Sequence, residues 1–129
     1  MILADTSAWV EYLRKTGTDA NLRMRGLFEG RDLAITDIVL MEVLAGARDH
    51  RDRRNLHRLL GRCPYLRTEA PLDFERAADI GAACRRGGSA VRQLTDCLIA
   101  AVAIRTGARV LQADRDFETI ARFTALQLD

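Results

Sequence analysis

The sequence predicts an α/β fold with a mainly parallel central sheet of about four to five short strands, flanked by helices on both faces. Three observations predict it. Short apolar segments alternate with helical patterns along the whole chain. The apolar segments are of strand length and are followed at once by polar or acidic residues. The one long apolar run, Cys97 to Ile104, is alanine-rich, too short for a bilayer span and suited to an enclosed helix.

Met1 to Ala4 is the first short strand, and the polar triplet Asp5, Thr6 and Ser7 starts the helix after it. That helix carries Trp9, Tyr12 and Leu13 at helical spacing. A break at Thr16 to Thr18 precedes a second helix, Asp19 to Glu29, with Leu22, Leu27 and Phe28 expected inward. Leu33 to Ile35 is a second strand, and Thr36 and Asp37 start a third helix, DIVLMEVLAGAR, in which Glu42 interrupts an apolar sequence.

From Asp49 to Arg62 the chain is highly charged around a narrow stripe of Leu56, Leu59 and Leu60, the pattern of an exposed helix. Pro64 stops it and Tyr65 to Arg67 is a third strand. Asp73 to Arg86 is a long helix closed by Gly87 and Gly88. It leads to the helix that Asp96 opens and that Arg105 and Gly107 close, and Val110 and Leu111 resume as a strand. Phe117, Ile120 and Ala121 give a last short helix and Leu126 to Leu128 a final strand. No repeat, linker or low-complexity segment interrupts this order.

With 129 residues, 48% of them hydrophobic, the chain is sized for one compact domain over residues 1–129. Its net charge of +2 is made from 20 basic and 18 acidic residues, and Lys15 is the only lysine. Arginine's planar fork suits phosphate, so the bias leans toward a nucleic-acid partner, although coding bias produces the same excess. Cys63, Cys84 and Cys97 are odd in number and lack CxxC spacing, which predicts free core thiols in a reducing cytoplasm rather than a zinc site. No signal peptide and no membrane-spanning run is expected.

Each acid taken alone has a local explanation as a turn, a cap or a helix-start residue. Together they form a pattern. Asp5 and Asp114 follow short apolar strands, while Asp96 and Glu42 lie on helices that can pack beside them. In an open parallel sheet such positions meet at the carboxyl edge. Carboxylates meeting there repel one another unless a divalent cation neutralises them, and an oxygen-only donor set points to Mg2+, with Mn2+ as a substitute. Such a cation polarises a phosphodiester and lowers the pKa of an attacking water. That is nuclease chemistry.

The segments MILADTSAWVEYL, MEVLAGAR, RRGGSAVRQLTDCLIAAVAIRTGARVL and ADRDFETIA carry a family resemblance and span nearly the whole chain in order. The chain resembles PIN-domain proteins, specifically the VapC-type toxins of bacterial toxin-antitoxin pairs. The resemblance implies a PIN-like fold, a magnesium-dependent endoribonuclease acting on transfer or ribosomal RNA, a homodimer, and a VapB-type antitoxin that inhibits by direct binding. It implies catalytic roles for Asp5, Glu42, Asp96 and Asp114, with Asp5, Asp96 and Asp114 on the metal. Glu42 binds it through water or assists as a base, and Asp116 supports or caps.

Smaller roles fall to neighbours. Thr6 and Ser7 are candidates to hold a water or a substrate phosphate, with helix capping as the main role of one of them, and Thr95 is similar. Arg92 is a candidate for an RNA phosphate or for an ion pair, solvated or between subunits. Trp9 and Tyr12 suit packing better than base stacking. The run from Arg48 to Arg58 reads as a solvated face, because Asp49 and Asp52 interleave it; an RNA-facing patch is the alternative.

Other classes fit less well. Phosphoaspartyl enzymes resemble the chain at Asp5, but their phosphatase branch needs a second Asp where Ser7 stands, and both branches need a late lysine. A dinucleotide site lacks its GxGxxG. The non-enzymatic alternative is a catalytically silent PIN fold that acts as an antitoxin-binding module or corepressor.

Overall fold

The computed structural model describes residues 1–129. Its centre is a parallel sheet of β1 (Ile2–Ala4), β2 (Leu33–Ala34) and β3 (Arg109–Leu111) in the order β2-β1-β3. Ile2 pairs with Leu33 on one side and Arg109 on the other, and Ala4 pairs with Leu111. All three residues of β1 are buried. Successive side chains point to opposite faces, so both faces of the sheet are covered.

The segments expected as the third and last strands shrink to single parallel pairings, Ile35 with Tyr65 and Val110 with Leu128, one beyond each edge of the sheet. Physical reasons are visible at both. Pro64 accepts from the Ile35 N–H but has none of its own to give, and Asp37 takes the N–H and hydroxyl of Thr68, drawing the chain out of the sheet. At Leu126, the start of the expected last strand, the N–H is taken by the Thr124 hydroxyl at 3.2 Å, so pairing with Val110 begins only at Gln127.

All seven expected helices form: α1 (Thr6–Leu13), α2 (Asp19–Gly30), α3 (Asp37–Ala45), α4 (His50–Leu60), α5 (Leu72–Arg86), α6 (Leu94–Thr106) and α7 (Arg115–Phe123). α6 is the hub, with every residue from Asp96 to Ala103 buried. α5 lies along it, and α3 and α7 pack against it as well. Gly107 ends it in the left-handed conformation, φ 72°, which glycine adopts without steric cost. Arg105 near that end donates to the buried Asp73 carboxylate at the start of α5, at 2.9–3.2 Å, and locks the pair.

One inward assignment is corrected. Leu22 is exposed, at 57%. The inward face of α2 is Asn21, Met24 and Leu27. Asn21 takes a buried place because its amide donates to the carbonyl of Glu11 at 2.9 Å, across to α1. No helix is long and apolar enough to cross a membrane.

Because the strands are parallel, β1, β2 and β3 all end at one edge. Asp5 follows β1 and opens α1, Thr36 follows β2 and opens α3, and Asp114 follows β3 and opens α7. α6 runs back into β3 through the tight turn at Gly107, so its first turn, with Asp96, lies at that same edge.

Candidate functional site

Capping decides the orientation of the first acid. Asp5, rather than Thr6 or Ser7, is the N-cap of α1, and its Oδ2 accepts from the Ser7 N–H at 3.0 Å and also from the Ser7 hydroxyl. Ser7 Oγ in turn accepts from the Ala113 N–H at 2.9 Å, which ties β1's exit to the loop after β3. Thr6, relieved of capping, turns its hydroxyl to Glu42 and donates to Oε1 at 2.9 Å. That bond, with half-burial at the edge of α3, is how an acid stands in an apolar helix.

On the other side of the sheet edge, Asp96, Asp114 and Asp116 present carboxylate oxygens that all lie within 4.8 Å of one another. Asp96 is in the first turn of α6, where the helix dipole favours an anion. Asp114 is the N-cap of α7 and accepts from the Asp116 N–H at 3.1 Å, so capping falls to Asp114 and not to Asp116. Asp116 is buried, with Phe117 and Ile120, on the inward side of α7. Arg92 closes the group, donating from Nη2 to Asp114 at 2.7 Å and from Nε to Asp116 at 3.3 Å, while its own side chain is 70% exposed. Thr95 stands half-buried in the same first turn of α6.

The electrostatics are those of crowded, buried acids. Burial, then the charge of Asp5 and the closely placed carboxylates of Asp116 and Asp114, push the Asp96 carboxyl up to about 8. Burial also raises Asp5, against the opposing hydrogen bonds from Ser7. The Oδ2 atoms of Asp96 and Asp116 are buried without a hydrogen-bond partner. Two things can satisfy such a pair of oxygens: a shared proton or a cation. Three converging carboxylates, two of them with an orphan buried oxygen and none accompanied by histidine or cysteine, fit a hard divalent cation.

The structure therefore brings Asp5, Asp96, Asp114 and Asp116 to one sheet edge and sets Glu42 near them through Thr6. Within the tight group stands Asp116, expected only in support, while Asp5 borders it from the β1 side and acts on Asp96 through its charge. The signal for Asp116 is in the sequence: its i, i+4 spacing to Ile120 puts it on the inward face of α7. An open groove of about 520 Å³ leads away from the Thr6–Glu42 pair, between α1 and α3, toward Arg48, Asp52 and Leu56 of the α4 region.

Residues 2–123 match the family described as the PIN domain. The chain belongs to the PIN domain family. Among curated proteins, this PIN domain is 48% identical over 129 residues to "VapC ribonuclease Mb1587" of Mycobacterium bovis and to "Ribonuclease VapC11" of Mycobacterium tuberculosis. In both cases the match covers 98% of this chain and 96% of the relative. Identity of that extent places it with the VapC type. Solved structures share the fold at lower identity. VapBC2 from Rickettsia felis bound to a promoter DNA fragment superposes with a TM-score of 0.75 at 19% identity, over 100% of this chain and 98% of that one. DNA-bound VapBC from Salmonella typhimurium gives 0.73 at 19% identity, over 99% and 96%.

Proposed function

We propose that this PIN domain is the toxin of a type II toxin-antitoxin pair, a divalent-metal-dependent endoribonuclease folded as one domain over residues 1–129. The observation that carries the chemistry is the set of three carboxylates within 4.8 Å, two with buried unpartnered oxygens, at the carboxyl edge of a parallel sheet. Asp96, Asp114 and Asp116 would hold the cation, with Asp5 bordering it. A bound Mg2+ or Mn2+ there supplies positive charge that polarises a phosphodiester and lowers the pKa of a nearby water.

The chain's own residues do the rest. Ser7 fixes the Asp5 carboxylate by two hydrogen bonds and anchors the Ala113 loop opposite it. Thr6 holds the Glu42 carboxylate, so that Glu42 takes the proton from the attacking water. Arg92 is exposed enough to turn from Asp114 and Asp116 to a phosphate oxygen of the substrate. Attack by water leaves a 5′-phosphate and a 3′-hydroxyl.

The substrate class, transfer or ribosomal RNA, the homodimer and the VapB-type antitoxin belong to the same reading, supported by near full-length likeness to proteins named as VapC ribonucleases and by the fold shared with VapBC assemblies. Three free cysteines suit a reducing cytoplasm. The test is cleavage of total cellular RNA by purified protein freed of antitoxin, with Mg2+ or Mn2+ and with chelator, beside Asp96→Asn. Discrete metal-dependent fragments absent from the variant are expected. Fragments ending in a cyclic phosphate, or identical patterns from wild type and variant, would overturn the mechanism.

A further inference from the structure

We propose that the exposed face of α4 is a docking surface for the RNA sugar-phosphate backbone, separate from the acidic centre; the proposal rests on the ribonuclease reading above. His50, Arg53, Arg54, His57 and Arg58 follow one another at helical spacing and together form a shallow cleft that no other residue lines. In sequence, Asp49 and Asp52 neutralise this run. In the structure neither forms an ion pair with the side chains of this face, because both are held at the start of the helix. Asp49 is the N-cap and accepts from the Asp52 N–H at 2.7 Å, and Asp52 takes the Arg48 N–H at 2.9 Å.

The arginines of this face are left without partners. Five arginines, Arg23, Arg48, Arg92, Arg105 and Arg109, pair with a carboxylate, and Arg53, Arg54 and Arg58 are three of those that do not; what sets these three apart is that they stand together on one helix face. A chain of net charge +2 has thus gathered three arginines without ion-pair partners and two histidines on one helix face. From His50 to Arg58 the stripe is about 12 Å long at the usual helical rise, room for consecutive phosphates of one strand.

Phosphate backbone suits this face better than protein does. The face carries no apolar or aromatic residue to anchor a protein interface core. Guanidinium groups grip phosphate oxygens in pairs, without regard to base. The opposite side of α4 is held in the fold by Leu56 and Leu60, so the stripe is rigidly presented. Its position also serves the site: Asp52 and Leu56 of the same helix wall the groove that begins at Thr6 and Glu42.

The test is binding of fluorescein-labelled transfer RNA to the full chain, freed of partners and kept in chelator so that nothing is cut, followed by fluorescence anisotropy over a range of salt. The variant Arg53→Gln/Arg54→Gln/Arg58→Gln is compared with Arg25→Gln/Arg86→Gln, which removes exposed arginines elsewhere. The α4 variant is expected to bind about tenfold more weakly or worse near 100 mM salt and to lose about two units of salt slope, with an unchanged unfolding temperature. The control variant is expected to lose much less. Wild-type affinity and slope in the α4 variant would overturn the proposal while leaving metal-dependent cleavage, and hence the nuclease reading, intact. Equal losses for RNA and for labelled polyglutamate would also overturn it, assigning the face to an acidic protein segment. A wild type that cuts no RNA with metal would overturn the nuclease reading by itself, and a wild type that binds no RNA would overturn both.

Discussion

The hydroxyl of Thr6 donates to Glu42 Oε1 at 2.9 Å, joining the first residue of α1 to the middle of α3 across 36 positions of sequence. One methyl-sized change tests what that bond does. Thr6→Val keeps the shape and removes the donor, so the fold should survive while Glu42 loses its orientation. Supporting hydrogen bonds of this kind are worth about 10- to 100-fold in activity. Single-turnover RNA cleavage by Thr6→Val is expected to fall in that range, with Thr6→Ser near wild type and with both unfolding temperatures close to it. An undiminished rate in Thr6→Val would remove Glu42 from the machinery.

Asp114 and Asp116 are two residues apart yet differ in setting. Asp114 caps α7 and is half-exposed, whereas Asp116 is buried with an unpartnered oxygen. Asp114→Ala should therefore cost about 1 kcal/mol of stability through the lost cap as well as weakening metal binding. Asp116→Asn should weaken Mn2+ binding at least as much, without the loss of a cap. Calorimetric titration with Mn2+ beside thermal unfolding separates the two. Equal metal affinity in wild type and Asp116→Asn would return that residue to a supporting role.

The pH dependence of the metal-free protein follows from Asp96. Its folded carboxyl is raised to about 8 from an ordinary 3.8, first by burial and then by its acidic neighbours. With the folded state holding its proton longer than the unfolded state, folding binds protons, and stability falls as pH climbs from about 4 to about 8. Asp73 works the other way. Burial pushes it upward, but hydrogen bonds from Arg105 and the Glu69 N–H outweigh that and hold it below 3.8, so its contribution is present above that value and is lost on acidification below it. Unfolding temperatures in chelator should accordingly decline from pH 5 toward pH 8, and Asp96→Asn should flatten that limb without altering the acid limb. A decline of the same steepness in Asp96→Asn would disprove the assignment.

Local signals carry most of the fold, and long-range pairing explains what they miss. The unbroken apolar run of α6 and its closing glycine are properties of neighbouring residues, and both read correctly from the chain. Apolarity alone points Leu22 inward. Its helix instead buries Asn21, whose partner, the Glu11 carbonyl, is ten residues away and invisible to periodicity. The edge strands are short for a similar reason, since Asp37 and the Thr124 hydroxyl take N–H groups of chain that local propensity would extend. At the site, the acids are legible because carboxylates after apolar strands are conspicuous. Which of them caps and which points inward depends on where α7 begins, and the pairing of Arg92 depends on a loop meeting α7 in space.

Arg92 supplies the last test. It places a fixed positive charge 2.7 Å from Asp114 and 3.3 Å from Asp116, on carboxylates that would also hold the cation. Two cations compete for one set of oxygens, so removal of the arginine should raise divalent affinity while lowering stability in chelator, where repulsion among the acids is then unrelieved. Arg92→Gln is expected to bind Mn2+ several-fold more tightly, most clearly at low ionic strength, and to show a larger rise in unfolding temperature on Mg2+ addition than wild type. RNA cleavage should nonetheless fall, because the side chain that turns to the phosphate is gone. Mn2+ affinity equal to or weaker than wild type would mean that Arg92 orients the carboxylates for the metal instead of competing with it.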